Sequence, residues 1–378
     1  MISFDFKTYL NHIYLLIFKK KFTICSVQMM IRFCLFFPIL LSTLRVFYLL
    51  DNIFFCRFRF QKITSPIFIV GIPRSGTTFL FRLMSKDRDR FTYFRLYHIL
   101  FPSICIRKFI EMISLADHQL NCYLSRFIKH IEKKIFSSYN YLHEYGFNDA
   151  EEDDTHFIHC FHTPVLYLTQ PFVNELDRLA FFDNNLDKYE VKSYMNFYAG
   201  CIKRQSYLAG SNKTVLSKNV WGLGKLKALK DRFPGARFIY IIRNPYESIG
   251  SLLSFYYVLL QKSDPQIKVS PDLSRSLTVT ACNLHLYAHK VFQHFQEDSY
   301  IIIKYEALTA DPDAVVREIY KKWNIPVNAN FADCLRDESK KNKGFRSKHD
   351  YSLEELGVSK EFVYERLQCL FAKYNFHR

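Results

Sequence analysis

Apolar positions along the chain mark two buried-strand units. Ile67 to Val70 and Arg237 to Ile242 are short, almost continuously apolar runs, the pattern of strands covered on both faces of a parallel sheet. Each leads into a turn and then into apolar residues at helical spacing. Leu80, Leu83 and Met84 follow the first, and an apolar stretch reaching Leu260 follows the second. Strand, turn and helix in repetition predict an α/β domain, a parallel sheet with helices on both faces, from about residue 65 onward. Segment 86–210 mixes polar and aromatic residues and reads as mostly helical, the expected wall of a pocket. Ser263 to Ser274, with Pro265 and Pro271, reads as a loop over it. A helix closes the chain.

Residues 1–64 follow another pattern, with nine Lys/Arg against Asp5 and Asp51, and twelve phenylalanines. The uncharged stretch near their middle, Phe33 to Leu44, is 12 residues long, contains Pro38 and is bracketed by Arg32 and Arg45. A spanning helix needs about 20 predominantly apolar residues, and a central arginine costs roughly 2.5–3.5 kcal/mol on insertion scales. No small-residue cleavage site follows a signal-like core. Two or three basic, amphipathic helices are therefore expected in place of a span. They either pack on the domain behind them or lie on an anionic membrane surface. Two units result: a helical extension, 1–64, and an α/β domain, 65–378.

Composition narrows the classes. At 378 residues, 49% hydrophobic and 23% charged, the chain has ample apolar surface to offset its ordering entropy, which excludes a disordered tail. A net charge of +16 leaves either a solvated basic face or an anionic partner: nucleic acid, phospholipid or a multiply charged small ligand. Ten cysteines with no CxxC and no close pair make neither a disulfide framework nor a zinc site. Buried free thiols in a reducing, cytoplasmic setting are the expectation.

The chemistry begins between Gly71 and Gly76. A buried strand, a glycine-bracketed turn and a helix bring backbone N–H groups and a helix N-terminus to one point, which suits an anion. The two glycines have the spacing of the Walker pattern, but Thr77 stands where its lysine belongs and the positive charge has moved into the loop as Arg74. A metal-dependent kinase also needs an Asp at the end of a neighbouring strand. The run 237–242 ends in Arg243, a residue suited to another phosphate. Arg243 and Ser251, eight apart, place a cation at a strand end and a hydroxyl two turns into the next helix.

With these residues in view, the chain resembles the sulfotransferases that use 3′-phosphoadenylyl sulfate (PAPS). It is most similar to the bacterial-type branch that shares the Pro-Arg-Ser-Gly-Thr-Thr loop with tyrosylprotein sulfotransferases. The resemblance runs from about Pro66 to the C-terminus and implies a P-loop-like fold. It implies that Arg74, Ser75, Gly76, Thr77 and Thr78 hold the 5′-phosphosulfate, and that Arg243 and Ser251 hold the 3′-phosphate. Leu216 to Asn219, followed by Phe233 to Phe238, resembles the family segment whose lysine reaches the sulfate, which makes Lys218 its counterpart. Val220 replaces the usual proline there. Ile303 to Leu308 resembles the strand whose tyrosine, here Tyr305, contacts the nucleotide. The tail from Phe345 to Val358 resembles the family's closing segment. Classical members clasp the 3′-phosphate with Arg-Lys-Gly, to which Lys343 and Gly344 correspond in part. The basic run from Arg336 to Lys348 reads equally as a solvated face.

Sulfuryl transfer needs a base for the acceptor and cations for the charge developing on the leaving nucleotide. Arg74 and Lys218 are the expected cations. The resemblance of Glu151-Glu-Asp-Asp154 to the family's acidic segment makes Glu152 the expected base, with Glu151 next. Clustered carboxylates raise one another's pKa, although such a quartet also suits a helix N-terminus. His156 is the alternative base, and His98 the remaining histidine of note. PAPS is the implied donor, no metal is implied, and the acceptor is a hydroxyl or amine of unread identity. Nucleic acid is not an expected partner, and peripheral membrane contact rests on residues 1–64. A P-loop kinase and a non-catalytic basic binder of membrane or nucleic acid are the other classes left open.

Overall fold

The computed structural model describes residues 3–18, 24–136, 146–168, 176–210, 212–263, 267–342 and 352–378. Three helices come first: α1 (Phe6–Phe18), α2 (Ile24–Ile31) and α3 (Phe37–Phe54). The sheet domain opens with β1 (Ile67–Val70), α4 (Thr77–Met84) and β2 (Phe91–Thr92). A helical insertion follows, α5 (Leu96–Leu100), α6 (Ile104–Gln119), α7 (Tyr123–Phe136), α8 (Leu176–Ala180), α9 (Phe182–Asn185) and α10 (Lys188–Ala209). The chain then runs through β3 (Thr214–Asn219), α11 (Leu226–Arg232), β4 (Arg237–Ile242), α12 (Pro245–Ser263), α13 (Pro271–Phe292) and β5 (Tyr300–Lys304). It closes with α14 (Tyr305–Ala310), α15 (Pro312–Lys322), α16 (Ala329–Asn342) and α17 (Lys360–Tyr374).

The five strands are parallel, in the order β2-β3-β1-β4-β5. Side chains alternate across the sheet. Phe68, Val70, Phe238, Tyr240 and Ile242 face one core, and Ile67, Ile69, Ile239 and Ile241 face the other. Because β1 lies between β3 and β4, the chain leaves β1 at the point where the strand order turns. The crevice beyond the C-terminal strand ends at such a point is the place where open α/β sheets bind ligands. β2 was not legible in the sequence, since two residues carry no periodicity. The expected 263–274 loop is shorter: Pro271 opens α13, where a missing amide costs nothing.

The amino-terminal extension departs from the expectation that none of its two or three helices is long and apolar enough to span a membrane. A π-helical turn at Arg32–Phe36 joins α2 to α3 without a break, and Pro38 falls in the first turn of α3, where it interrupts nothing. The stretch Val27–Phe54 is a 28-residue rod with a mean hydropathy of 2.0 over its most apolar window, of which only 11% is buried. By length and composition this helix is long and apolar enough to cross a membrane. Its C-terminal end and the start of α1 are nevertheless tied to the domain. Asp51, fully buried, accepts from the Ser103 hydroxyl at 2.8 Å, the Cys105 amide at 2.9 Å and Arg204 Nε at 2.7 Å. The Arg204 guanidinium stacks on Tyr48 and Phe58. Asp5, just before α1, pairs with His162 Nδ1 at 2.7 Å and with Arg178. Burial opposes ionisation there, but bonds from His162, Thr8 and Arg178 hold the Asp5 carboxyl well below the usual range. Among the described residues, Cys160, Cys201 and Cys282 are buried free thiols, whereas Cys34, Cys56 and Cys369 are exposed.

Candidate active site

The loop after β1 is shaped by what its glycines exclude. A Cβ on Gly71 would lie 2.5 Å from Ser75 Oγ and 2.9 Å from the Ile241 carbonyl. Gly76 has φ +92° and would drive a Cβ to 2.7 Å from the Tyr305 ring. Arg74, between them, also has a positive φ of 74°, a conformation that costs a residue with a Cβ roughly 1–2 kcal/mol. Ser75 is fully buried and its hydroxyl donates to the Ile72 carbonyl at 2.8 Å, so it braces the loop from inside. Thr77 is buried and Thr78 half-buried. The amides of Phe79 and Leu80 reach back to the Gly76 carbonyl. Those of Gly76, Thr77 and Thr78 therefore precede the first helical bond, at the positive end of α4.

The second motif meets this loop directly. Arg74 Nε donates to Ser251 Oγ at 3.2 Å, and Arg243 donates to the Arg74 carbonyl at 3.4 Å. The Arg243 guanidinium lies 4.4 Å over the Tyr305 ring, and Glu247 accepts from its Nη2 and Nε at 2.7 and 2.9 Å. Arg74, Arg243, Ser251 and Tyr305 thus form one cluster at the ends of β1, β4 and β5. Two expectations shift. The Arg74 guanidinium is turned toward Ser251 and the Phe255 ring, on the side assigned by resemblance to the 3′-phosphate. Tyr305 opens α14 and lies past the strand, because β5 ends at Lys304.

Parallel pairing sets Lys218 beside Ile69, near the start of the loop. Its Nζ stands 3.6 Å from Glu151 Oε1 and 3.5 Å from Glu152 Oε2. Burial, reinforced by the charge of Glu151 and opposed by Lys218, raises the Glu152 carboxyl above its ordinary range. Glu151 is the more committed of the two. Its Oε1 accepts the Glu152 amide at 3.0 Å, its own amide donates to the Phe94 carbonyl, and its side chain is 9% exposed against 24% for Glu152.

The other half of the quartet points inward. Asp153 accepts from Tyr198 Oη at 2.7 Å and Ser217 Oγ at 2.8 Å. Ser217 precedes Lys218 and Asp153 follows Glu152, so this buried bond fixes the acidic segment against β3. Asp154 pairs with buried Lys225, whose Nζ lies 4.8 Å from the rings of both Phe157 and Phe182. Sequence reasoning passed over Tyr198 and Lys225, which lie outside every motif, and gave no role to Ser217 inside the 216–219 segment. Burial pushes the Asp153 carboxyl up to about 7 against the bonds from Tyr198 and Ser217. The unfolded chain releases this proton near ~4, so stability falls as pH rises from there to about 7. Asp153→Asn is expected to flatten that fall while leaving Tyr198 an acceptor. Thermal unfolding of both proteins at pH 5 and 7.5 checks it, and an equal change in Tm in both overturns it.

The histidines are structural in their surroundings. His156 is enclosed, neither ring nitrogen has a hydrogen-bond partner among the described residues, and its ring packs edge-on against Phe94 at 4.5 Å. Burial, with the charges of His159 and Arg107, holds its pKa well below the ordinary value. His98 accepts the Arg95 amide and meets Arg107 at 3.2 Å. Lys343 and Gly344, with the tail as far as residue 351, lie outside the described residues. Asn219, one residue past Lys218, is fully buried, and neither of its amide atoms has a hydrogen-bond partner among the described residues. Arg74 and Arg243 meet beside the N-terminus of α4, and Lys218 and Asn219 end the neighbouring strand β3, so these groups collect at the C-terminal edge of the sheet.

The fold is an α/β protein in which two strand–loop–helix units meet at a strand-order switch. The model of a sulfotransferase family matches residues 66–329, and the chain belongs to that family. The omega-hydroxy-beta-dihydromenaquinone-9 sulfotransferases Stf3 of Mycobacterium bovis and Mycobacterium tuberculosis are 26% identical over 264 residues, 69% of this chain. The chain spans 63% of the length of those relatives. Among solved structures, sulfotransferase STF1 of Mycobacterium tuberculosis H37Rv superposes with a TM-score of 0.73 at 18% identity, covering 96% of this chain and 91% of that one. STF9 of Mycobacterium avium gives 0.70 at 17% identity, covering 87% and 81%. These likenesses show the P-loop-like sulfotransferase fold.

Proposed function

We propose that the protein is a sulfotransferase that moves a sulfuryl group from PAPS to a hydroxyl of an apolar acceptor. The observation that carries this reading is the Arg74–Ser251 hydrogen bond, which joins two motifs 177 residues apart into one anion site. PAPS, when bound, supplies the sulfuryl group. Arg243, Ser251 and Arg74 bind its 3′-phosphate, and the amides of Gly76, Thr77 and Thr78 bind its 5′ end. Glu152 takes the acceptor proton, and Lys218 offsets negative charge as it develops on the departing nucleotide. Glu151 positions both through Lys218 and the Glu152 amide. The kinase reading loses ground because the cation Arg243 follows β4, with Glu247 already engaged by it.

An apolar acceptor is supported by the name of the Stf3 relatives and by the extension itself. Phe161, which ends the 3-10 turn begun by Asp153, packs against Phe4, Tyr9, Phe33 and Phe37. The exposed rod thus packs against the far end of the 3-10 segment that begins beside the proposed base. Peripheral contact of residues 1–64 with the cytoplasmic face of a membrane would bring such an acceptor to it. The donor half is tested by calorimetry. 3′,5′-ADP is expected to bind more tightly than 5′-AMP by about 1.5–3 kcal/mol, the worth of a charge-assisted contact, and Arg243→Ala to erase most of the difference. Equal affinities in the wild type overturn the assignment.

A further inference from the structure

The helical hairpin α6–α7 has no role in the proposed site, and beyond Ile106 most of its apolar residues are exposed among the described residues. On α7, Leu124, Phe127, Ile128, Ile131 and Ile135 recur at helical spacing along one face, between 36% and 60% exposed, and no residue of α7 is buried. Arg126, Lys129 and Lys133 occupy the opposite face, and Lys134 flanks the apolar one. The distal half of α6 repeats the pattern with Phe109, Met112 and Ile113. The hairpin is built to hold its shape. Buried Asp117 accepts the amides of Leu124 and Ser125 at 2.8 Å each, capping α7, while Asn121 and Cys122 turn the chain with φ of 60° and 58°.

We propose that α6–α7 is a docking surface for an anionic lipid bilayer. A helix with a broad apolar face, a lysine- and arginine-rich opposite face and low net hydrophobicity lies in the membrane interface, its apolar side among the acyl chains. Charge selects this occupant. Glu132, the acidic residue of α7, is occupied with the Phe147 amide, and lysine is depleted at protein–protein interfaces. The surface continues into the extension, since Lys108 of α6 lies 5.5 Å over Phe55 and Asp51 receives the first amides of α6. Stable anchoring takes two signals, and the apolar rod α2–α3 with the basic hairpin would supply both. This goes beyond the reading of residues 1–64 and stands without it.

The test is co-sedimentation of the full chain with phosphatidylcholine vesicles, with and without 30% phosphatidylserine, at ~50 and ~500 mM salt. Wild type is expected to partition at least tenfold better onto anionic vesicles at low salt and to lose that preference at high salt. Lys129→Glu with Lys133→Glu should abolish the preference, and Phe127→Ser with Ile131→Ser should weaken binding to both vesicles. Leu35→Ser with Ile39→Ser should lower only the neutral-vesicle component, which separates failure of the extension from failure of the hairpin. Unchanged 3′,5′-ADP affinity shows that each variant is folded. Anionic preference retained by the double lysine variant overturns the proposal. So does a wild-type dimer that Phe127→Ser with Ile131→Ser dissociates without loss of vesicle binding.

Discussion

Glu152→Gln is expected to lower kcat by about 10²–10⁴ while leaving 3′,5′-ADP affinity unchanged, because the amide keeps the shape of the carboxyl and loses only its ability to take a proton. The geometry makes this specific to one carboxylate of four. Asp153 and Asp154 are spent on Tyr198, Ser217 and Lys225, and Glu151 on the Glu152 amide and Lys218. Glu152 alone of the quartet combines partial exposure with a raised pKa. The carboxyl must be ionised to accept a proton, so kcat/KM should fall as pH drops through a value above the ordinary 4.5. His156→Ala should leave that acidic limb in place, whatever it does to stability, since the ring is enclosed and uncharged. An inactive His156→Ala of wild-type Tm beside an active Glu152→Gln would transfer the role to histidine.

Lys218→Ala should cost about 10²–10³ in kcat, the typical loss for one donor aimed at developing charge. It should also move the acidic limb to higher pH. Lys218 is the cation that opposes the upward pull of burial and Glu151 on Glu152, and its removal leaves that pull unchecked. The kcat loss separates a catalytic cation from a brace, and the shifted limb reports the Lys218–Glu152 contact itself, because any cation 3.5 Å from Glu152 lowers its pKa. Pre-steady-state and steady-state rates between pH 5 and 9, with an acceptor of verified turnover, measure both. Wild-type turnover in Lys218→Ala, with an unmoved limb, would sink the assignment.

Arg74 changes its place in this scheme relative to what the motif alone suggested. By sequence it belonged with Lys218 at the 5′ end. In the fold its guanidinium lies against Ser251 and Phe255. Arg74 has a positive φ of 74°, and its Nε donates to Ser251 of α12 at 3.2 Å.

Local physics made much of the site readable in the chain. A strand buried on both faces must be apolar without interruption, and a loop that crowds Tyr305 against its backbone admits only glycine at position 76. The strand–loop–helix unit at 66–84 and its counterpart ending at Ser251 were therefore legible in their own residues. Quantities that depend on partners distant in sequence were not. Lys218 meets Glu151 and Glu152 because parallel register slides β3 beside β1 and the Asp153–Ser217 bond pins the acidic segment to it. The extension shows the same limit. Charges at Arg32 and Arg45 and a proline at 38 argued against a spanning helix, yet a π turn carries one rod through all three. Composition determined that this segment and the α6–α7 hairpin would be apolar and basic. Only the tertiary structure decided that, among the described residues, much of their apolar surface stays exposed, because the core closes over the sheet chiefly with other helices.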